Sequence, residues 1–126
     1  MIVADTDVLI DFLSGHEPGA SRVAAELSSS SLATTAVSRF ELLAGAMGSG
    51  TEASVRRLLD TVRTLPLERE AADRAAEVRR TLDRKGPGIG MADSLIAGIA
   101  LVHDGALLTR NRKHFARVDG LRLAGF

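Results

Sequence analysis

The chain has 126 residues, enough for one domain over 1–126 and too few to give two cores adequate burial. Apolar residues make up 45% and charged residues 25%, which excludes a disordered tail, and no apolar run reaches the roughly 20 residues of a membrane span. Sixteen basic residues balance sixteen acidic ones, cysteine is absent and four Phe are the only aromatics; disulfides, thiolate nucleophiles and zinc–thiolate sites are excluded, and a nucleic-acid coat protein or recognition by aromatic stacking is disfavoured.

Met1-Ile2-Val3-Ala4-Asp5 has no basic stretch and no cleavable apolar segment, so a cytoplasmic location is expected. Ile2–Ala4 reads as a buried strand ending on Asp5-Thr6-Asp7. Val8, Leu9, Phe12 and Leu13 recur at helical spacing until Ser14-Gly15. Residues 19–29 form a second helix, and the serine run 28–31 reads as a turn. A strand over 32–35 precedes an amphipathic helix carrying Phe40, Leu43, Ala44 and Met47, ended by Gly48–Gly50. That apolar stripe serves equally as core or as a docking groove. Val55, Leu58, Leu59 and Val62 mark the next helix, and Thr64-Leu65-Pro66-Leu67 is extended because residues before proline avoid helix.

Residues 68–84 read as a charged helix with Ala72, Ala75, Ala76 and Leu82 inward. After a Gly/Pro loop, 91–103 is the most apolar helix, 106–109 a strand, and 121–123 a possible last strand behind a basic tail. Strands separated by helices pair in parallel through crossovers. The expected class is therefore α/β, a three-layer sandwich around a central parallel sheet.

Three acids stand where such a fold does chemistry, outside the carboxyl ends of the strands. Asp5 ends the first strand; a helix-capping role is the competing reading. Glu41 sits in the helix after the second strand, with Gly45 and Gly48 leaving space beside it. Asp93 lies in the first turn of the most buried helix, where the dipole alone favours it by about 0.3–1 kcal/mol. Asp11, one turn after Asp7, is read as structural or exposed, because two like charges at that spacing require at least one to face water. Bare carboxylates in contact repel, and a hard divalent cation removes the conflict. Oxygen-only ligands point to Mg²⁺ or Mn²⁺.

Four segments together resemble the PIN-domain ribonucleases, specifically the VapC-type toxins of toxin–antitoxin pairs. They are Asp5-Thr6-Asp7-Val8-Leu9-Ile10-Asp11, Ser38-Arg39-Phe40-Glu41-Leu42-Leu43-Ala44-Gly45, Gly86 through Ala97, and Leu108-Thr109-Arg110-Asn111-Arg112-Lys113-His114-Phe115 with Gly120-Leu121. The resemblance implies a PIN-like fold and metal-dependent endoribonuclease activity with water as nucleophile. It maps the metal-binding acids onto Asp5, Glu41 and Asp93, with Thr6, Ser38 and Thr109 as supporting hydroxyls. The fourth segment departs from the family by offering Asn111 and His114 where another acid is common, which puts a second metal in doubt. The resemblance further implies an RNA substrate, a small VapB-like antitoxin whose tail covers the active site, and a homodimer.

Arg110, Arg112 and Lys113 cluster beside this rim and suit RNA phosphates. Arg117 is assigned to a solvated face. Three other readings compete. One is a PIN fold that binds partners with little catalysis. Another is a receiver-like phospho-acceptor domain, which needs an acceptor Asp after a central strand and a Lys where Arg110 follows Thr109. The third is an aspartyl phosphatase, whose nucleophile motif Asp5-Thr6-Asp7-Val8 imitates, without its downstream acidic pair.

Overall fold

A computed structural model describes residues 1–29 and 31–126. The turn expected across the serine run includes Ser30, which lies outside the described residues. The elements, in chain order, are β1 (Ile2–Ala4), α1 (Thr6–Ser14), α2 (Gly19–Ser29), β2 (Leu32–Thr35), α3 (Ala36–Gly45), α4 (Ser49–Thr61), β3 (Arg63–Leu65), α5 (Arg69–Lys85), α6 (Met91–Val102), β4 (Ala106–Leu108), α7 (Arg112–Phe115) and β5 (Arg122–Leu123).

The strands form one parallel sheet in the order β3-β2-β1-β4-β5. The chain builds outward from β1 through β2 to β3, then returns to place β4 on the other side of β1. The order reverses between β1 and β4, and a parallel sheet opens a crevice at such a point, beyond the strands' carboxyl ends.

Alternation along the strands feeds two cores. Val3, Ala33 and Leu107 face one side, with Leu82 of α5, Ile96 and Ile99 of α6 and Phe115 of α7. Ala4, Leu32 and Leu108 face the other, with Val8 and Leu9 of α1, Val23 of α2, Leu42 of α3 and Leu58 and Leu59 of α4. This is the expected three-layer sandwich with a central parallel sheet.

Three local expectations need correction. The inward face of α5 is Ala71, Ala75, Val78 and Leu82, whereas Ala72 and Ala76 are exposed; four closely spaced alanines left the stripe's phase undetermined. Helix α3 ends at Gly45, before Gly48, which instead precedes α4 at φ 87°. Its buried face carries Ser38 and Leu42, so Phe40 and Met47 stand outside the core at 69% and 80% exposure. The short α7, not anticipated, is pinned by the fully buried Phe115.

Candidate active site

Asp5 ends β1 at the switch point. Its backbone N–H donates to Leu108 O of β4 (2.9 Å), while its side chain turns out of the sheet. It occupies the N-cap of α1 in extended conformation, and its Oδ1 accepts from Thr6 N–H at 2.8 Å. The capping role and the site position thus fall on one residue. Oδ2 accepts from the Thr109 hydroxyl at 2.7 Å. Burial pushes the Asp5 carboxyl up to about 6, with Asp7 and Asp93 adding repulsion and the bonds from Thr109 and Thr6 opposing it.

Glu41 reaches the same crevice from α3. The Thr6 hydroxyl donates to Glu41 Oε1 at 2.7 Å and lies 2.9 Å from Ser38 Oγ. Ser38 is buried in the first turn of α3, its N–H donating to the N-cap Thr35 Oγ1 at 3.0 Å. Thr6 and Ser38 therefore link the first helix to Glu41. Gly45 leaves open space, as the sequence suggested, but Gly48 is not on the same helix.

Asp93 stands half-buried in the first turn of α6. Its carboxyl is raised, chiefly by burial and then by Glu41, with His114 and the Asn111 amide opposing. Asn111 Nδ2 donates to Asp93 Oδ2 over a long 3.4 Å and lies 3.1 Å from His114 Nδ1.

Asp7 was not assigned to the site, yet it belongs to the same group of charges, raising both Asp5 and Asp93. Its Oδ2 accepts from Arg110 N–H at 3.0 Å and lies 3.4 Å from Thr109 Oγ1, while its Oδ1 is buried with no partner. Asp11 is buried and Asp7 half-buried, so the member of the pair expected to be exposed is the one enclosed. Arg110 compensates instead, its Nε 2.7 Å from Asp11 Oδ2. The legible signal was two acids one turn apart beside an apolar stripe, an arrangement that requires a cation from elsewhere.

Of the basic residues assigned to RNA, Arg110 is engaged with Asp11, Arg112 Nη1 donates to Ala124 O at 2.6 Å, and Lys113 is exposed. Arg117 Nη2 donates to Pro87 O rather than standing in solvent alone.

Asp5, Glu41 and Asp93 share one crevice: Asp93 helps to raise the Asp5 carboxyl, and Glu41 helps to raise that of Asp93. Among the described residues no three acidic or imidazole groups converge closely enough to grip an ion directly. A hard cation that keeps several waters does not need such a cage. The oxygen-only donors, the raised carboxyls and the unpartnered Asp7 Oδ1 all fit a local positive charge.

A parallel α/β domain with carboxylates gathered at its switch-point crevice defines a class that binds its ligands beyond the carboxyl ends of the strands. Within it, the PIN domain signature matches residues 2–121, and the chain belongs to the PIN domain family. It is 35% identical to Ribonuclease VapC10 of Mycobacterium tuberculosis over 122 residues, covering 97% of this chain and 91% of that one. With Ribonuclease VapC19 of the same organism it shares 37% over 124 residues, covering 97% and 98%. The DNA-bound VapBC structure from Salmonella typhimurium superposes with a TM-score of 0.84 at 27% identity, over 98% of this chain and 96% of that one. The resemblance read from the four sequence blocks holds, and it sets aside the receiver and aspartyl-phosphatase readings.

Proposed function

We propose that this protein is a metal-dependent endoribonuclease, the toxin of a VapBC-type toxin–antitoxin pair, working in the cytoplasm. The observation that carries the reading is the arrangement of Asp5, Asp93 and Glu41 around one crevice at the β1–β4 switch point, together with the ribonuclease relatives across nearly the whole chain. Asp5 and Asp93 hold Mg²⁺, with Mn²⁺ as substitute, and Glu41 either joins them or orients the attacking water. The cation, when bound, supplies Lewis acidity at the scissile phosphate and a more acidic water.

The chain's own residues do the rest. Thr109 and the Thr6 N–H hold the Asp5 carboxylate outward, and Asn111 reaches Asp93. Glu41, anchored through one oxygen by Thr6, keeps the other for a water proton. Lys113 and Arg112, at the exposed start of α7, meet RNA phosphates.

Two apolar grooves flank Glu41 and support the reading of two protein partners. One, about 290 Å³ and lined by Val37, Phe40, Leu67, Met91 and Leu95, receives a second copy of the chain. Its rim carries its own knobs, since Phe40 and Met91 are 69% and 66% exposed, and a two-fold contact needs such self-complementarity. The other, about 360 Å³ with Ile10, Leu13, Ala46 and Val55, receives the antitoxin segment that covers the rim.

The test is cleavage of RNA by the purified chain with Mg²⁺, Mn²⁺ or EDTA. Asp5→Asn and Asp93→Asn are expected to reduce cleavage to background with native far-UV circular dichroism. Mn²⁺ titration calorimetry should lose its binding isotherm in both. Full activity in either variant, or cleavage unaffected by EDTA, overturns the assignment. Metal binding without cleavage favours the partner-binding PIN reading, which the neutral Asn111 and His114 keep open.

A further inference from the structure

Three consecutive residues after β4 connect the two central carboxylates. The Thr109 hydroxyl holds Asp5, and the Asn111 side chain reaches Asp93. The Asn111 N–H also donates to Thr109 Oγ1 at 3.0 Å, closing a tight turn around the middle residue. That residue, Arg110, is fastened to α1 at two points one helical turn apart: its backbone N–H to Asp7 Oδ2 at 3.0 Å, and its Nε to Asp11 Oδ2 at 2.7 Å.

Asp11 is itself fixed. Its side chain is 7% exposed, and the first residue of α2, Gly19, seats so closely that a Cβ there would come within 2.4 Å of Asp11 Oδ2. The carboxylate cannot swing away, and it would be left buried and unpaired if Arg110 turned outward to a phosphate.

We propose that Arg110 is a positioning residue for RNA cleavage. Its ion pair with Asp11, reinforced by Asp7, sets the Thr109–Asn111 segment so that Thr109 and Asn111 meet Asp5 and Asp93 together. The inference rests on the nuclease reading above, and it removes Arg110 from the RNA-contacting group.

The experiment compares wild type, Asp11→Asn, Arg110→Gln, Arg110→Lys and the double variant Asp11→Asn/Arg110→Gln. RNA cleavage is resolved into kcat and KM, and amide hydrogen exchange of Arg110 and Asn111 is followed by NMR without metal or RNA. Asp11→Asn and Arg110→Gln are expected each to lower kcat about tenfold or more, with KM within about twofold. The double variant should be no worse than either single, because both break one strut. Arg110→Lys should recover most of kcat. Exchange at both amides should accelerate in Asp11→Asn and Arg110→Gln alike. If Asp11→Asn fails to fold, Arg110→Gln, at a half-exposed position, carries the same readouts.

A raised KM with preserved kcat in Arg110→Gln, beside a silent Asp11→Asn, makes Arg110 a phosphate contact and overturns the proposal. Should wild type cleave no RNA, the nuclease reading falls by itself. The exchange data then decide the strut alone, and unchanged exchange in the variants overturns it.

Discussion

Asp5 is held in a state that suits its chemistry at the expense of the fold. Burial lifts its carboxyl to about 6, well above the value of an unfolded chain. The folded state therefore binds the proton more tightly, and this contribution to stability is complete below about pH 4. It is lost as pH rises toward and through 6. Asn has nearly the same shape, keeps the Thr6 bond and lets the Thr109 hydroxyl turn round to accept. Asp5→Asn is thus expected to be inactive yet more stable at pH 7 by about 2–3 kcal/mol, with the difference gone by pH 4. Urea unfolding in EDTA at pH 4, 5.5 and 7.5 measures it. A variant less stable than wild type at neutral pH would mean that the two hydrogen bonds outweigh burial. At this scale the positions of the three candidate acids were legible because each stands at a recognisable place: a strand end, a helix after a strand, and the first turn of a buried helix. It did not reveal Asp7 or the Asp11–Arg110 pair, because their partners lie about a hundred residues away.

Among the elements, periodicity was reliable where side chains differ in kind and silent where they do not. Strand β1 ends where the apolar run meets Asp5, and α1 ends at Gly15, whose φ of 75° suits glycine. The alanines of α5 carried no such contrast, and the phase of that helix was settled only by its packing on α6. That contact depends on Gly98, where a Cβ would meet Ala71 O at 2.6 Å and the Ala75 Cβ at 2.8 Å. Gly98→Ala should cost about 1–3 kcal/mol, read from the urea midpoint. Gly45→Ala makes the opposite case. Outside its own helical turn, no described heavy atom lies within 4 Å of where a Cβ would stand, and the residue sits at the end of α3 without positive φ. It is expected to be neutral or to stabilise by up to about 1 kcal/mol. Equal gains at the two glycines would show that backbone entropy, not packing, governs both.

At the scale of the molecule, the alternation of strands and helices announced a parallel sheet, but the strand order was not legible. Nothing in the local pattern says that β4 returns to the far side of β1, and that return is what creates the crevice between Asp5 and Thr109. The stripe of Phe40, Leu43 and Met47 was equally ambiguous, because a core and an interface look alike in one dimension. Phe40 stands beside the groove it shares with Met91 and Leu67, while Met47, more exposed still, is not among that groove's lining residues. The two side chains therefore separate a specific contact from general apolarity. In a two-fold dimer each substitution acts twice. If Phe40 anchors the contact, Phe40→Glu should weaken it by about 4 kcal/mol, roughly a thousandfold in Kd. Sedimentation velocity at micromolar concentration would then report a monomer for Phe40→Glu. Met47→Glu should keep the mass of the wild type, and both variants should retain wild-type circular dichroism. A Phe40→Glu protein that still sediments as a dimer would move the contact to another face, and loss of the dimer in both variants would reduce it to nonspecific apolar association.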